Sequence, residues 1–184
     1  MSDTRSRILD TAEEMVRAGG YNGFSFREIA SLIGIKSASV HHHFPTKEAL
    51  TLEVARRYNE KFFAALGAPK PDGHDPEAQL KLYSQVFKKA FQSSKRACLC
   101  GVLTSEAEQL PNSVRVVVIE FVQANIAWLE QALEKPPNDA NARKRAELVY
   151  SALEGAMGVA SLQQDHRWID RVSEAVCLTA LSQI

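Results

Sequence analysis

The sequence predicts an all-α chain of about nine helices. Three observations carry this: apolar residues recur three or four apart in the periodic segments, Gly and Pro fall mainly between those segments, and no stretch shows a convincing strand alternation. At 184 residues, with 45% hydrophobic and 24% charged side chains, the chain has ordinary globular composition and enough apolar material for a core. No apolar run approaches the ~20 residues that cross a bilayer, and the start, MSDTRSRILD, lacks a signal-type apolar stretch; the expected setting is the cytoplasm, with no membrane partner. Three cysteines, an odd number, do not suggest a disulfide framework. The 22 basic and 22 acidic residues balance, so any nucleic-acid reading must rest on where cations stand locally.

The first helix carries Ile8, Leu9, Ala12, Met15 and Val16 on one stripe and stops at Gly19-Gly20. Ser25-Phe-Arg-Glu28 is a capping box that opens a short second helix with Ile29, Ala30, Leu32 and Ile33. Gly34 breaks it, supplying the positive φ of a tight interhelical turn. Ser37 is the expected cap of a third helix of about two turns, running to Phe44 and ended by Pro45. Thr46 caps a long fourth helix with Leu50, Val54, Tyr58 and Phe62 in one row. The stretch Gly67–Pro76 reads as a loop, and Asp75-Pro76 restarts order as N-cap and first helical residue. A fifth helix bears Leu80, Tyr83, Val86, Phe87, Ala90 and Phe91, and a short element covers about Leu99 to Glu108. A long helix from Val114 to Leu129 is closed by Pro136-Pro137, with Asn138 or Asp139 capping its successor. The last two helices span about 140–164 and 168–183.

Two short helices joined by a glycine turn and braced by a longer one follow the helix-turn-helix plan. An α-helix fits the major groove of B-DNA, where its N-terminal residues meet base edges. Here that end reads Lys36-Ser37-Ala38-Ser39, short or flexible polar groups around a small residue, while Ile35, Val40 and Phe44 face inward. Adjacent helical residues diverge by ~100°, so His41, His42 and His43 are not expected to converge on a metal.

The segment from Gly34 to Leu50 (GIKSASVHHHFPTKEAL) resembles the turn, recognition helix and fourth-helix start of the TetR/AcrR family, Ser25–Ala30 resembles its second-helix opening, and the likeness runs over residues 4–60. The resemblance implies a DNA-binding head, a divergent ligand-binding body, dimerisation, and repression relieved by an effector. It divides the chain into 1–48, the helix-turn-helix domain, and 49–184, the effector-binding and dimerisation domain, with the fourth helix at about 47–66 connecting them. Carried over by position, Ser25 and Lys47 match phosphate-holding groups, and Lys36, Ser37, Ala38, Ser39 and His42 match groups facing bases or nearby backbone. Arg27 is on the solvent side of its helix, within reach of the backbone or a base edge. The chain departs from the family where a tyrosine is usual, at His41, and where a basic residue is common, at Ser37. Phosphate anchoring then falls to Lys36, Lys47 and Ser25, with Arg5 or Arg7 as further cations.

In the body, Tyr83, Phe87, Phe91, Cys98, Val102, Phe121, Trp128, Tyr150 and Met157 are the candidate lining of a pocket between bundle helices, taking an apolar, weakly polar or electrophilic small molecule. Cys98 and Cys100, near Lys95 and Arg96, leave a thiol-sensing role open beside the plain reading as small core residues. On the last two helices, Gly155 and Gly158 permit close approach, and Ile169, Val172 and Val176 supply apolar surface for a two-fold four-helix dimer interface. No catalytic set, metal site or cofactor motif stands out, so the expected function is a DNA-binding regulator and not an enzyme. The alternatives are a ligand-independent DNA-binding adaptor and a thiol-based regulator or enzyme using Cys98.

Overall fold

The computed structural model describes residues 4–69, 75–133 and 139–182, and every regular element among them is helical. Nine helices follow in order: α1 (Thr4–Gly19), α2 (Phe26–Ile33), α3 (Ser37–His43), α4 (Lys47–Leu66), α5 (Pro76–Ser94), α6 (Leu99–Ser105), α7 (Asn112–Leu133), α8 (Ala142–Gln163) and α9 (Arg167–Ser182). The all-α expectation holds. The chain divides into two compact units, the first taking Met1–Lys61 and Leu99–Glu120, the second Phe62–Cys98 and Phe121–Ile184.

In the first unit α2 packs on both α1 and α3, and α6 packs on α1. Its core takes Ile8, Ala12 and Val16 from α1, Ile29 from α2, Val40 from α3, and Leu50 and Val54 from α4, all fully buried. The turn after α1 needs glycine at position 20 twice over. Its φ is +73°, and a Cβ there would fall 2.1 Å from Glu106 Oε1, because the Glu106 carboxylate accepts the Tyr21 amide at 2.6 Å. The capping box forms: Ser25 Oγ accepts the Glu28 amide at 3.3 Å and donates its own hydrogen to Glu28 Oε2 at 2.7 Å. Gly34 closes α2 in the left-handed conformation at φ +72°, and Arg7 donates to the carbonyl of Ile33 at 2.5 Å.

In the second unit α8 packs along α9, and both pack on α5. Asp75 caps α5 by accepting the Glu77 and Ala78 amides at 3.0 and 3.2 Å, with Pro76 at the first helical position. Phe62 stands edge-on to Phe87 and Phe121, with ring centres 5.4 and 5.1 Å away. Tyr83 stacks on Trp128 at 5.5 Å. Although α7 is apolar enough in composition to span a bilayer, it serves as a core helix, burying Val114, Val117 and Val118 and, further along, Phe121, Leu129 and Leu133.

Several local expectations are corrected. Lys36, not Ser37, is the N-cap of α3; Ser37 is already helical, the Ser39 amide turns back to the Lys36 carbonyl at 2.9 Å, and no side chain caps this end. That helix ends at His43, since Phe44 is extended at φ −138° ahead of Pro45. Helix α6 stops at Ser105, where the Glu106 side chain turns to the Tyr21 amide. Of the two caps expected for α8, Asn138 lies outside the described residues, as do Pro136 and Pro137. Asp139 instead accepts the amide of Asn141, the actual N-cap, and pairs with the buried Arg145 of α8.

Candidate functional site

What positions a recognition helix is the apolar seam on its back. In α3 that seam is Val40, fully buried, with Phe44 just beyond it at 3% exposure. With these two fixed inward, Lys36, Ala38, His41 and His42 are exposed, and Ser37 and Ser39 are half-buried between the two faces. Ser25 and Arg27 are exposed at the start of α2. The His41 ring meets Phe26 edge-on at 4.7 Å, so α2 braces it. All nine residues expected at the DNA interface therefore fall in the first unit, on α2, on α3 and its cap, or at the start of α4.

Lys47 differs from the others. Its ammonium donates to the Phe24 carbonyl at 2.7 Å and lies over the Phe24 and Tyr21 rings at 4.5 and 5.3 Å. Burial pulls its pKa below the usual lysine value, against the upward pull of Glu28 and Glu106. An ammonium has three donors, so the bond to Phe24 leaves two for another acceptor. The remaining cations near the N-terminus are engaged within the protein: Arg5 with Glu53 at 2.9 Å, and Arg7 with the end of α2.

A small head of this shape, with a helix end exposed between two packed helices, presents a surface suited to the major groove. The comparisons with known proteins agree. The model for bacterial regulatory proteins of the tetR family matches residues 8–54, which hold all of α2 and α3. The head of the chain is that of the tetR family. Crystal structures of two TetR-family regulators extend the likeness to the whole fold. That from Legionella pneumophila is 29% identical, covers 97% of this chain and 98% of its own, and superposes with a TM-score of 0.88. That from Agrobacterium tumefaciens is 27% identical, covers 95% and 96%, and has a TM-score of 0.86. The HTH-type transcriptional repressor NemR of Escherichia coli is 26% identical over 135 residues, 72% of this chain and 68% of NemR. With a head of this family and relatives that are transcriptional regulators, the protein is a DNA-binding transcriptional regulator.

The body residues expected to line a pocket divide unevenly. Tyr83, Phe87, Phe91, Cys98, Phe121, Trp128, Tyr150 and Met157 are all buried in the second unit, whereas Val102 is half-buried on α6 of the first. Polar groups that the residue pattern did not single out lie among them. Tyr83 donates its hydroxyl to Asn125 Oδ1 at 2.6 Å, and Asn125 donates to the Phe121 carbonyl at 2.8 Å. The Glu154 carboxyl takes hydrogen bonds from the Cys98 thiol and the Tyr150 hydroxyl, and burial raises its pKa to about 7. Burial, then the nearby Glu154, push the Tyr83 hydroxyl well above the ordinary tyrosine value. Cys98 thus meets a buried acid. Cys100, in the first unit, donates to Asn59 Oδ1 at 3.4 Å. The signal for Glu154 was present in the sequence: it is the lone acid in the otherwise apolar and small run from Leu148 to Leu162.

A separate open groove of about 1080 Å³ runs between α5 and α9, bordered by Glu77, Lys81, Asp170, Arg171, Cys177 and Leu178. Charged side chains border its largely apolar walls, and it contains none of the expected pocket residues. On α8, Gly155 and Gly158 are exposed, with nothing among the described residues within 4 Å of where a Cβ would stand. On α9, Val172 is half-buried, while Ile169 and Val176 are buried at 1% and 7% within the protomer. The exposed apolar residues of this pair of helices are Leu148, Leu162 and Leu178, at 46%, 84% and 72%.

Proposed function

We propose that the protein is a homodimeric repressor, not an enzyme, acting in the cytoplasm on a pseudo-palindromic operator that a small effector makes it release. The observation that carries this is the exposed N-terminal end of α3, with Lys36, Ala38, His41 and His42 outward and Val40 and Phe44 holding the helix from behind. Lys36, Lys47 and Ser25 contact phosphates; Arg27, Ser37, Ala38, Ser39, His41 and His42 face bases or the adjacent backbone. The effector lies in the aromatic interior of the body. The outward faces of α8 and α9, with Gly155, Gly158, Leu162 and Leu178, pair two protomers so that two heads read two half-sites. The relative NemR is itself a transcriptional repressor, in keeping with this reading.

Selection from a random duplex pool at moderate salt should return a two-fold symmetric consensus. Lys36→Ala should weaken binding to it about tenfold, the loss of one phosphate or base contact, with no change in melting temperature because the side chain is exposed. The absence of a consensus, or full affinity in the variant, would reject the reading.

A further inference from the structure

Glu154 is the strongest unexplained feature of the body. The residue is half-buried as a whole, its stem reaching the helix surface, but its Oε1 is buried and has no hydrogen-bond partner among the described residues. The carboxyl accepts from the Cys98 thiol and the Tyr150 hydroxyl. A buried acid retained in an aromatic interior costs stability unless something supplies the missing donor. The rings of Phe62, Phe87, Phe121, Tyr83 and Trp128 form one cluster in the same unit, with centre separations of 5.1 to 6.4 Å along its contacts.

Three classes of small molecule can be weighed against this chemistry. An anion would be repelled by the Glu154 carboxylate and could not supply the donor that Oε1 lacks, so it is disfavoured. A neutral hydrocarbon would match the rings but leave Oε1 without a donor. An ammonium on an apolar frame satisfies both, since its N–H groups supply the donor and its charge pairs with the carboxylate, while aromatic faces attract cations. We propose that the effector is an organic ammonium carried on an apolar, aryl-sized frame, and that Glu154 is the residue that selects it. This rests on the reading of the body interior as the effector site.

The groups that bear on Glu154 are Cys98, Tyr150 of its own helix and Tyr83 of α5. With its pKa near 7, the carboxyl is mostly ionised at pH 8 and mostly neutral at pH 6, so ammonium binding should follow that ionisation.

The test titrates the full-length protein with arylalkylamines, from 2-phenylethylamine to 4-phenylbutylamine, each against the alkylbenzene in which methyl replaces ammonium. Binding is read by calorimetry and by release of the selected operator. At pH 8 each amine should bind at least tenfold more tightly than its hydrocarbon partner and should release the operator. Its affinity should fall about tenfold by pH 6. Glu154→Gln, close in size and uncharged, should bring amine and hydrocarbon within about threefold and abolish the pH dependence, while unchanged hydrocarbon binding shows an intact interior. Equal binding of amine and hydrocarbon by the wild type, or an amine preference that survives Glu154→Gln, overturns the inference. If hydrocarbons alone bind and release the operator, the cation preference falls and effector-controlled release stands. If no member of either series binds, both the preference and the placing of the effector in this interior fall.

Discussion

Gly20 and Glu154 show how much a single position can decide. At Gly20, φ of +73° and the approach of the Glu106 carboxylate act together, whereas Gly34, at φ +72°, has open space where a Cβ would go. Gly34→Ala should therefore cost only the left-handed backbone, about 1 kcal/mol. Gly20→Ala should cost about 2–3 kcal/mol, because it also displaces Glu106 from the Tyr21 amide. Urea denaturation of both variants, with Gly20→Ala repeated in a Glu106→Ala background, checks this: in that background the two costs should converge. Glu154 makes a prediction of opposite character. Below pH ~4.5 the carboxyl is protonated in folded and unfolded chains alike, and it imposes no ionisation cost. Between 4.5 and about 7 the unfolded chain loses the proton and the folded one keeps it, so stability falls as pH rises. Above about 7 both are ionised and the loss levels off at roughly 3 kcal/mol. Wild type minus Glu154→Gln, measured by urea denaturation from pH 5 to 8, should show this decline, and a flat difference would contradict the buried position of the carboxyl.

At the scale of the element, the clearest contribution is the Ser25–Glu28 box that starts α2. Its two hydrogen bonds are local, so they form wherever this tetrapeptide meets a helix, and Ser25→Ala should cost about 1 kcal/mol of folding stability. The same change should weaken operator binding if Ser25 also holds a phosphate; Glu28→Ala, which removes the partner of the Ser25 hydroxyl but leaves that hydroxyl in place, separates the two roles by losing stability without losing DNA affinity. Denaturation and operator titration of the two variants provide the check. Features of this local kind were legible in the sequence: the caps at Ser25, Thr46 and Asp75, the stop at Gly34, and the apolar stripes of α1, α4 and α5. The start of α3 misled because Ser37 has the composition of a cap, while the backbone leaves the helix one residue earlier, at Lys36. What local pattern could not supply was pairing across long sequence separations. Lys47 looks like a free surface cation, yet the Phe24 carbonyl 23 residues away holds it. Ile169 and Val176 look like interface residues, yet packing of α9 on α8 and α5 turns them inward. Glu154 and Asn125 take their partners, Cys98, Tyr150 and Tyr83, from other turns and other segments, which no local pattern displays.

For the whole molecule, the zero net charge matters as much as the fold. With 22 cations offset by 22 anions, no long-range field draws the protein to DNA, and affinity must come from a few local contacts presented twice. The chain offers a reason for the doubling. Glycine in a helix interior costs about 1 kcal/mol relative to alanine, and at Gly155 and Gly158 nothing among the described residues approaches a Cβ position. Two such glycines on an exposed stripe with Leu162, itself 84% exposed, suit the close approach of a second protomer that we propose for this face. Gly158→Arg places a long cation where the protomer has room and a partner helix would not. It should leave the helical circular dichroism unchanged and convert the protein to a monomer in sedimentation at micromolar concentration. If each head neutralises the two phosphates held by Lys36 and Lys47, the dimer's log–log dependence of affinity on salt should have a slope of about −4, and the variant's should be about half of that. Its affinity for the full palindrome should drop to that for a single half-site, because the second head is no longer held at a high local concentration. Leu162→Glu, which adds charge to the same stripe without bulk near the glycines, should act in the same direction. A Gly158→Arg protein that remains dimeric and keeps the full salt slope would move the two-fold axis away from α8 and α9.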